Sequence, residues 1–113
     1  MTILALVLVA AGFTRYTNGL LKAREAALRV NLQAMAEAIA QYSADEGRYP
    51  PSLEALVDRQ YLRAIPEDPF TGSVRTWRVH LSGAESGHPS RGVDKVRSSN
   101  DGTASDGSRY SEW

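Results

Sequence analysis

At 113 residues the chain has room for one small domain. Thirteen Lys and Arg offset thirteen Asp and Glu, so there is neither a basic excess for binding nucleic acid through counterion release nor an acidic solvating tail. The absence of cysteine excludes a disulfide framework, a thiolate metal site and a cysteine nucleophile.

The neutral total conceals a pattern. Residues 1–30 carry a balance of +3, residues 31–72 one of −4 and the remainder +1, a basic-to-acidic step along the chain. The basic block opens with an uncharged run from Ile3 to Phe13. As a helix that run covers roughly 16 Å, against about 30 Å for the hydrocarbon core of a bilayer. It is short for a membrane span and matches a signal-peptide core in length, but no base precedes it and no small-residue cleavage site follows. Exposed on so small a domain, it needs lipid or protein to cover it.

Leu21, Leu28, Leu32, Met35, Ile39 and Tyr42 follow, spaced by three or four from Leu28 onward, which is one stripe of a helix. Between Leu21 and Leu28 the turn carries Arg24 and Glu25, so burial is expected to begin at Leu28. Lys22, Arg29, Gln33, Glu37 and Gln41 take the opposite face. No proline interrupts residues 2–46, and Gly47 with Pro50 and Pro51 supplies the stop. A single helix of that length would run roughly 67 Å, so its first half projects. The expected division is residues 1–46 as the N-terminal helix, of which 1–19 project and 20–46 form a spine, with 47–113 as a head.

In the head, Ser52 is an N-cap for a short helix over 52–62, with Glu54 in its first turn and Leu53, Leu56 and Val57 on its buried face. Proline and glycine make residues 65–73 a connection of turns. Thr76 to Leu81 alternates, with Trp77, Val79 and Leu81 on one face, and reads as a strand; residues 93–96 read as a second. Residues 82–91 read as a loop. The two strands are too poor in apolar surface to stand alone, so a small sheet packs on the rear half of the long helix. The fold class is α+β, with Trp77, Tyr42, Tyr49, Leu56 and Ile39 as the expected core.

Nothing in the sequence carries an active site, and no enzymatic role is expected. His80 falls on the polar face of a strand and His88 in a loop without a neighbouring acid. No serine sits in a nucleophile elbow, and no glycine-rich loop leads into a helix. The stretch 98–108 holds two Asp-Gly steps, Asp101-Gly102 and Asp106-Gly107, among hydroxyls. Such hard oxygens suit calcium, although Asp and Gly are favoured in turns for conformational reasons alone.

In order along the chain come Arg15-Tyr16-Thr17-Asn18, Lys22-Ala23-Arg24-Glu25-Ala26-Ala27-Leu28-Arg29 and Gln41-Tyr42. Gly47-Arg48-Tyr49-Pro50, Ser52-Leu53-Glu54-Ala55-Leu56, Tyr61-Leu62, Ile65-Pro66 and Asp68-Pro69-Phe70-Thr71-Gly72 follow. The pattern closes with Ser99-Asn100-Asp101-Gly102 and Tyr110-Ser111-Glu112-Trp113. Together these resemble the major (G-type) pseudopilin of the type II secretion system, within the type IV pilin-like superfamily.

The resemblance implies a long projecting helix on a small antiparallel sheet. It also implies a subunit held in the bacterial inner membrane by a single-pass N-terminal helix, with its head in the periplasm. Such subunits, methylated at the N-terminus, polymerise with identical copies into a filament. Prepilin peptidase, an assembly platform and an assembly ATPase are the implied partners. Calcium on the C-terminal loop is implied as well, with Asp101 and Asp106 as side-chain ligands and Ser98 and Thr103 as carbonyl donors, and this tips the balance from turns to calcium. The assembly surface is expected at Ile3, Leu4, Leu6, Val7, Leu8, Val9, Phe13, Arg15, Arg24 and Arg29, with the bases facing Glu37, Asp45 and Glu46 of a neighbour. The chain departs from the family in its eleven-residue apolar run, in Thr14 where a proline usually falls, and in having no glutamate before Glu25. Two other readings are a minor pilin or adhesin-like binding subunit, and a secreted calcium-stabilised domain or small hydrolase.

Overall fold

A computed structural model gives the backbone of residues 2–83 and 92–113 and the side chains of residues 17–83 and 92–113. Helix α1, Thr2–Glu46, is followed by α2, Leu53–Asp58, strands β1, Arg78–Ser82, and β2, Gly92–Arg97, and a final 3₁₀ turn, Tyr110–Glu112. The fold is α+β, one long helix with a two-stranded antiparallel sheet. At 71 Å the long axis far exceeds the other two extents of 28 and 20 Å, because 45 residues run without a break in α1.

The end of α1 follows from its sequence. Gly47 adopts φ +71°, and its amide donates to the Ser43 carbonyl at 3.0 Å, a left-handed cap that costs glycine little. Pro50 is fully buried, and its carbonyl accepts from the Val93 amide at 2.7 Å, which pins the turn to the sheet.

Helix α2 starts as expected, with the Ser52 hydroxyl accepting from the Ala55 amide. It ends earlier than the expected 62. Gln60 turns to φ +67°, its amide donates to the Val57 carbonyl, and the Tyr61 amide reaches back to the Leu56 carbonyl at 2.8 Å. This is a Schellman termination with glutamine where glycine is usual.

β1 begins two residues later than the alternation predicts. The Trp77 indole N–H donates to the Pro66 carbonyl at 2.7 Å, which holds Trp77 against the 65–73 connection and out of the ladder. The strands pair Arg78 with Arg97, Val79 with Val96 and His80 with Lys95, then Leu81 with Val93. Asp94 is thus an extra residue on β2, a bulge, and its carboxylate meets His80 Nδ1 at 2.7 Å.

The core gathers Leu28, Leu32, Met35, Ala38, Ile39 and Tyr42 from α1 and Leu53 and Leu56 from α2. Trp77, Val93, Val96, Ala104 and Tyr110 complete it. Fully burying a Leu or Met stabilises by about 1.5–3 kcal/mol, so the α1 stripe is the main hold between spine and head. Trp77, Tyr42, Leu56 and Ile39 are buried as expected, whereas Tyr49 is 41% exposed. The Tyr49 backbone lies so close to Gly92 that a Cβ there would approach Tyr49 atoms to 2.5 Å, and with the backbone in that position its ring is left partly in solvent. Val79 is also exposed, while its partner Val96 is buried; α1 packs chiefly on β2.

Candidate functional site

The C-terminal segment 98–113 lies along the flank of α1 where the helix leaves the head. Its frame is backbone. The Ala104 amide donates to the Ser108 carbonyl at 2.6 Å and the Tyr110 amide to the Gly102 carbonyl at 3.1 Å, closing a small turn on either side of the bridge that pairs Thr103 with Arg109. The tip takes Gly107 at φ +90°.

Glu25 of α1 is what this turn rests on. It is 7% exposed. Oε1 accepts from the Ser105 amide at 2.8 Å and the Tyr110 hydroxyl at 2.7 Å, and Oε2 accepts from the Ser105 hydroxyl. Among the described residues no base pairs with it directly, so neutral donors carry the charge. The Ser105 hydroxyl, then the Tyr110 hydroxyl, holds the carboxyl below its ordinary 4.5 against the opposing effect of burial. Reciprocally, burial and then the Glu25 carboxylate push the Tyr110 hydroxyl up to about 12.

One turn along, Arg29 meets Asp106 at 3.3 Å and lies over the Trp113 ring at 3.6 Å from its centre. The Trp113 indole N–H donates to the Ser108 hydroxyl at 2.7 Å, and Tyr110 stacks edge-on with Trp113 and tilted on Phe70. Helix spacing explains the grouping, since residues four apart share a face. Glu25 continues the buried stripe three residues before Leu28, so among the described residues burial on α1 begins one turn earlier than expected, with a carboxylate. Thr17 to Arg24 are exposed throughout.

Asp101 is 72% exposed and faces Arg78 of β1 at 3.1 Å. Asp106 accepts from the Ser108 amide at 2.9 Å as well as from Arg29, and the Ser108 hydroxyl, then its amide, lowers its pKa. Ser98 is fully buried, its hydroxyl donating to Asp68 at 2.8 Å and accepting from the Asn100 amide. Thr103 belongs to the bridge with Arg109. Among the described residues no three His, Asp or Glu side chains gather as a metal cage.

Asp68, read from sequence as a turn residue, is fully buried. It caps its own turn through the Phe70 amide at 2.8 Å and receives Ser98, which ties the 65–73 connection to the start of the C-terminal segment.

Of the expected assembly residues, Ile3, Leu4, Leu6, Val7, Leu8, Val9, Phe13 and Arg15 lie outside those whose side chains are described, as does His88. Arg24 is exposed, and Arg29 is engaged within the chain. The acids expected to face a neighbour have internal partners too. Glu37 accepts from Gln33, Asp45 from Gln41 and the Tyr61 hydroxyl, and Glu46 pairs with Arg59 at 3.7 Å. Burial, then the Asp45 carboxylate, raises the Tyr61 pKa. Among the described residues no helix is long and apolar enough to cross a membrane.

Comparison with protein families, with curated proteins and with solved structures returns no match for this chain.

Proposed function

We propose that the chain is a structural filament subunit of the type IV pilin-like kind, resembling the major pseudopilin of type II secretion, and that it polymerises through α1. The observation that carries this reading is the division of α1 at Glu25. From that residue on, one stripe is buried in the head. Before it, Thr17 to Arg24 lie exposed, including Leu20 at 42% and Leu21 at 37%, with two bases and no acid. A helix that offers apolar and basic surface beyond its own head is suited to a second copy. A contact between unlike surfaces of identical chains repeats without closing and makes a helical fibre. Inner-membrane anchoring, a periplasmic head, prepilin peptidase, the assembly platform and the assembly ATPase belong to this proposal through the family resemblance.

The test is electron microscopy of the purified full chain, with Arg24→Glu as the variant, since Arg24 is exposed. Wild-type filaments, and at least about a tenfold higher critical concentration for the variant with unchanged head melting, are expected; tenfold corresponds to about 1.4 kcal/mol per added subunit. A wild-type chain that stays monomeric at every concentration overturns the reading.

One feature favours a binding subunit instead, of the minor pilin or adhesin-like type. A groove of about 500 Å³ between α2 and β1 is lined by Leu53, Ile65, Val74, Trp77, Val79 and Leu81. Filament yield unaffected by Arg24→Glu but reduced binding to a secreted protein on Trp77→Ala would favour that role.

A further inference from the structure

We infer that Glu25 closes the C-terminal loop from within the chain, in the role that a calcium ion would otherwise fill, so that the head is ordered without a divalent cation. The inference goes beyond the filament reading and holds whether or not the chain polymerises.

A loop that wraps calcium turns carboxylate and carbonyl oxygens inward on a centre of positive charge, six to eight of them. In residues 98–110 the polarity runs the other way. The centre is a carboxylate, Glu25, and the loop turns donors toward it: the Ser105 amide, the Ser105 hydroxyl and the Tyr110 hydroxyl. An anion buried in the hub leaves the loop's N–H and O–H groups facing in, where a cation would need its oxygens.

Several of the loop's oxygens have partners within it. The carbonyls of Gly102, Ala104 and Ser108 accept from Tyr110, Gly107 and Ala104 amides. Asn100 Oδ1 accepts from the Gly102 amide at 2.9 Å. Asp101 and Asp106 are drawn to arginines on different elements, Arg78 on β1 and Arg29 on α1. Those two ion pairs are exposed and each contributes little, so they do not decide the matter. What decides it is the buried hub, whose donors are directional and already satisfied: among the described residues every buried side-chain polar atom has a partner. Trp113 then covers the hub from outside, stacked on Tyr110 and held by Arg29.

The experiment is thermal melting of the full chain in millimolar calcium chloride and in excess EGTA, with amide exchange at Ser105 read in both. Wild type is expected to melt at the same temperature in the two media. Glu25→Gln keeps the shape but halves the acceptors, and it is expected to lower the midpoint equally in both. Tyr110→Phe removes one donor while keeping the buried ring, and is the milder variant; its Ser105 amide is expected to exchange about tenfold faster. A wild-type midpoint raised by calcium over EGTA, with Asp101→Ala abolishing the rise, overturns the inference. So does Ser105 exchange that neither variant alters.

Discussion

Helix α1 holds the head in two places by different physics. From Leu28 to Tyr42 it presents an apolar stripe, and the contact is wide and non-directional. At Glu25 and Arg29 it presents charge, and the contact is narrow and directional: two side chains grip one small turn. The difference teaches what each grip is for. A close-packed apolar stripe supplies most of the holding energy between head and spine but does not orient polar groups. A carboxylate receiving three hydrogen bonds fixes where the C-terminal turn sits, because a misplaced donor leaves a buried charge unsatisfied.

Truncation on the stripe should have the larger effect on stability. Leu28 and Met35 are fully buried, and Leu28→Ala is expected to destabilise by about 2–5 kcal/mol, the lost transfer energy plus an unfilled cavity. Urea unfolding should show a lower midpoint with an unchanged slope. A loss below about 1 kcal/mol would mean that the polar grip, and not the stripe, holds the head.

The polar grip should instead reveal itself through pH. Glu25 and Asp106 both titrate below their ordinary values in the folded chain. The stability they contribute is therefore present above the unfolded carboxylate range and is lost as pH falls through the folded values. Tyr110 is raised from 10 to about 12, so its contribution is complete below pH 10 and is lost as pH rises toward 12. Melting temperature against pH should show a plateau with a fall at each end. Glu25→Gln should shallow the acid side, to which Asp106 also contributes, and Tyr110→Phe the alkaline side, to which Tyr61 also contributes, while Leu28→Ala should lower the whole curve without changing its shape. An alkaline side untouched by Tyr110→Phe would break the assignment.

The two grips were unequally legible. Spacing alone placed the stripe, because periodicity is local to α1. The caps at Gly47 and Ser52 and the two strands were legible for the same reason. The polar grip depends on Ser105 and Tyr110, eighty and eighty-five residues from Glu25, and no local pattern connects them. One signal was present. Glu25 sits four residues after Leu21 and three before Leu28, on the stripe itself, and an acid at a stripe position is either exposed by a break or buried with partners. Reading it as the break put the start of burial one turn late. The misplacements of Tyr49, Val79 and the start of β1 share another cause: alternation says which side chains share a face but not which strand the helix covers, nor that Trp77 would bond to Pro66.

The smallest expected effect separates the two grips most cleanly, because it touches neither. Gln60 holds φ +67° at the end of α2, a conformation that costs a residue with a Cβ roughly 1 kcal/mol and costs glycine much less. Gln60→Gly should therefore stabilise the head by about 0.5–1 kcal/mol, offset in part by the greater freedom of glycine in the unfolded chain. If amides in the α1 stripe exchange through opening of the whole head, they should slow by that amount. If the turn on Glu25 opens by itself, the Ser105 amide should exchange at its original rate, since a change in α2 does not bear on that local opening. Slowing of Ser105 in step with Met35 would instead make stripe and clasp one cooperative unit, and α1 would then hold its head by a single grip with two chemistries.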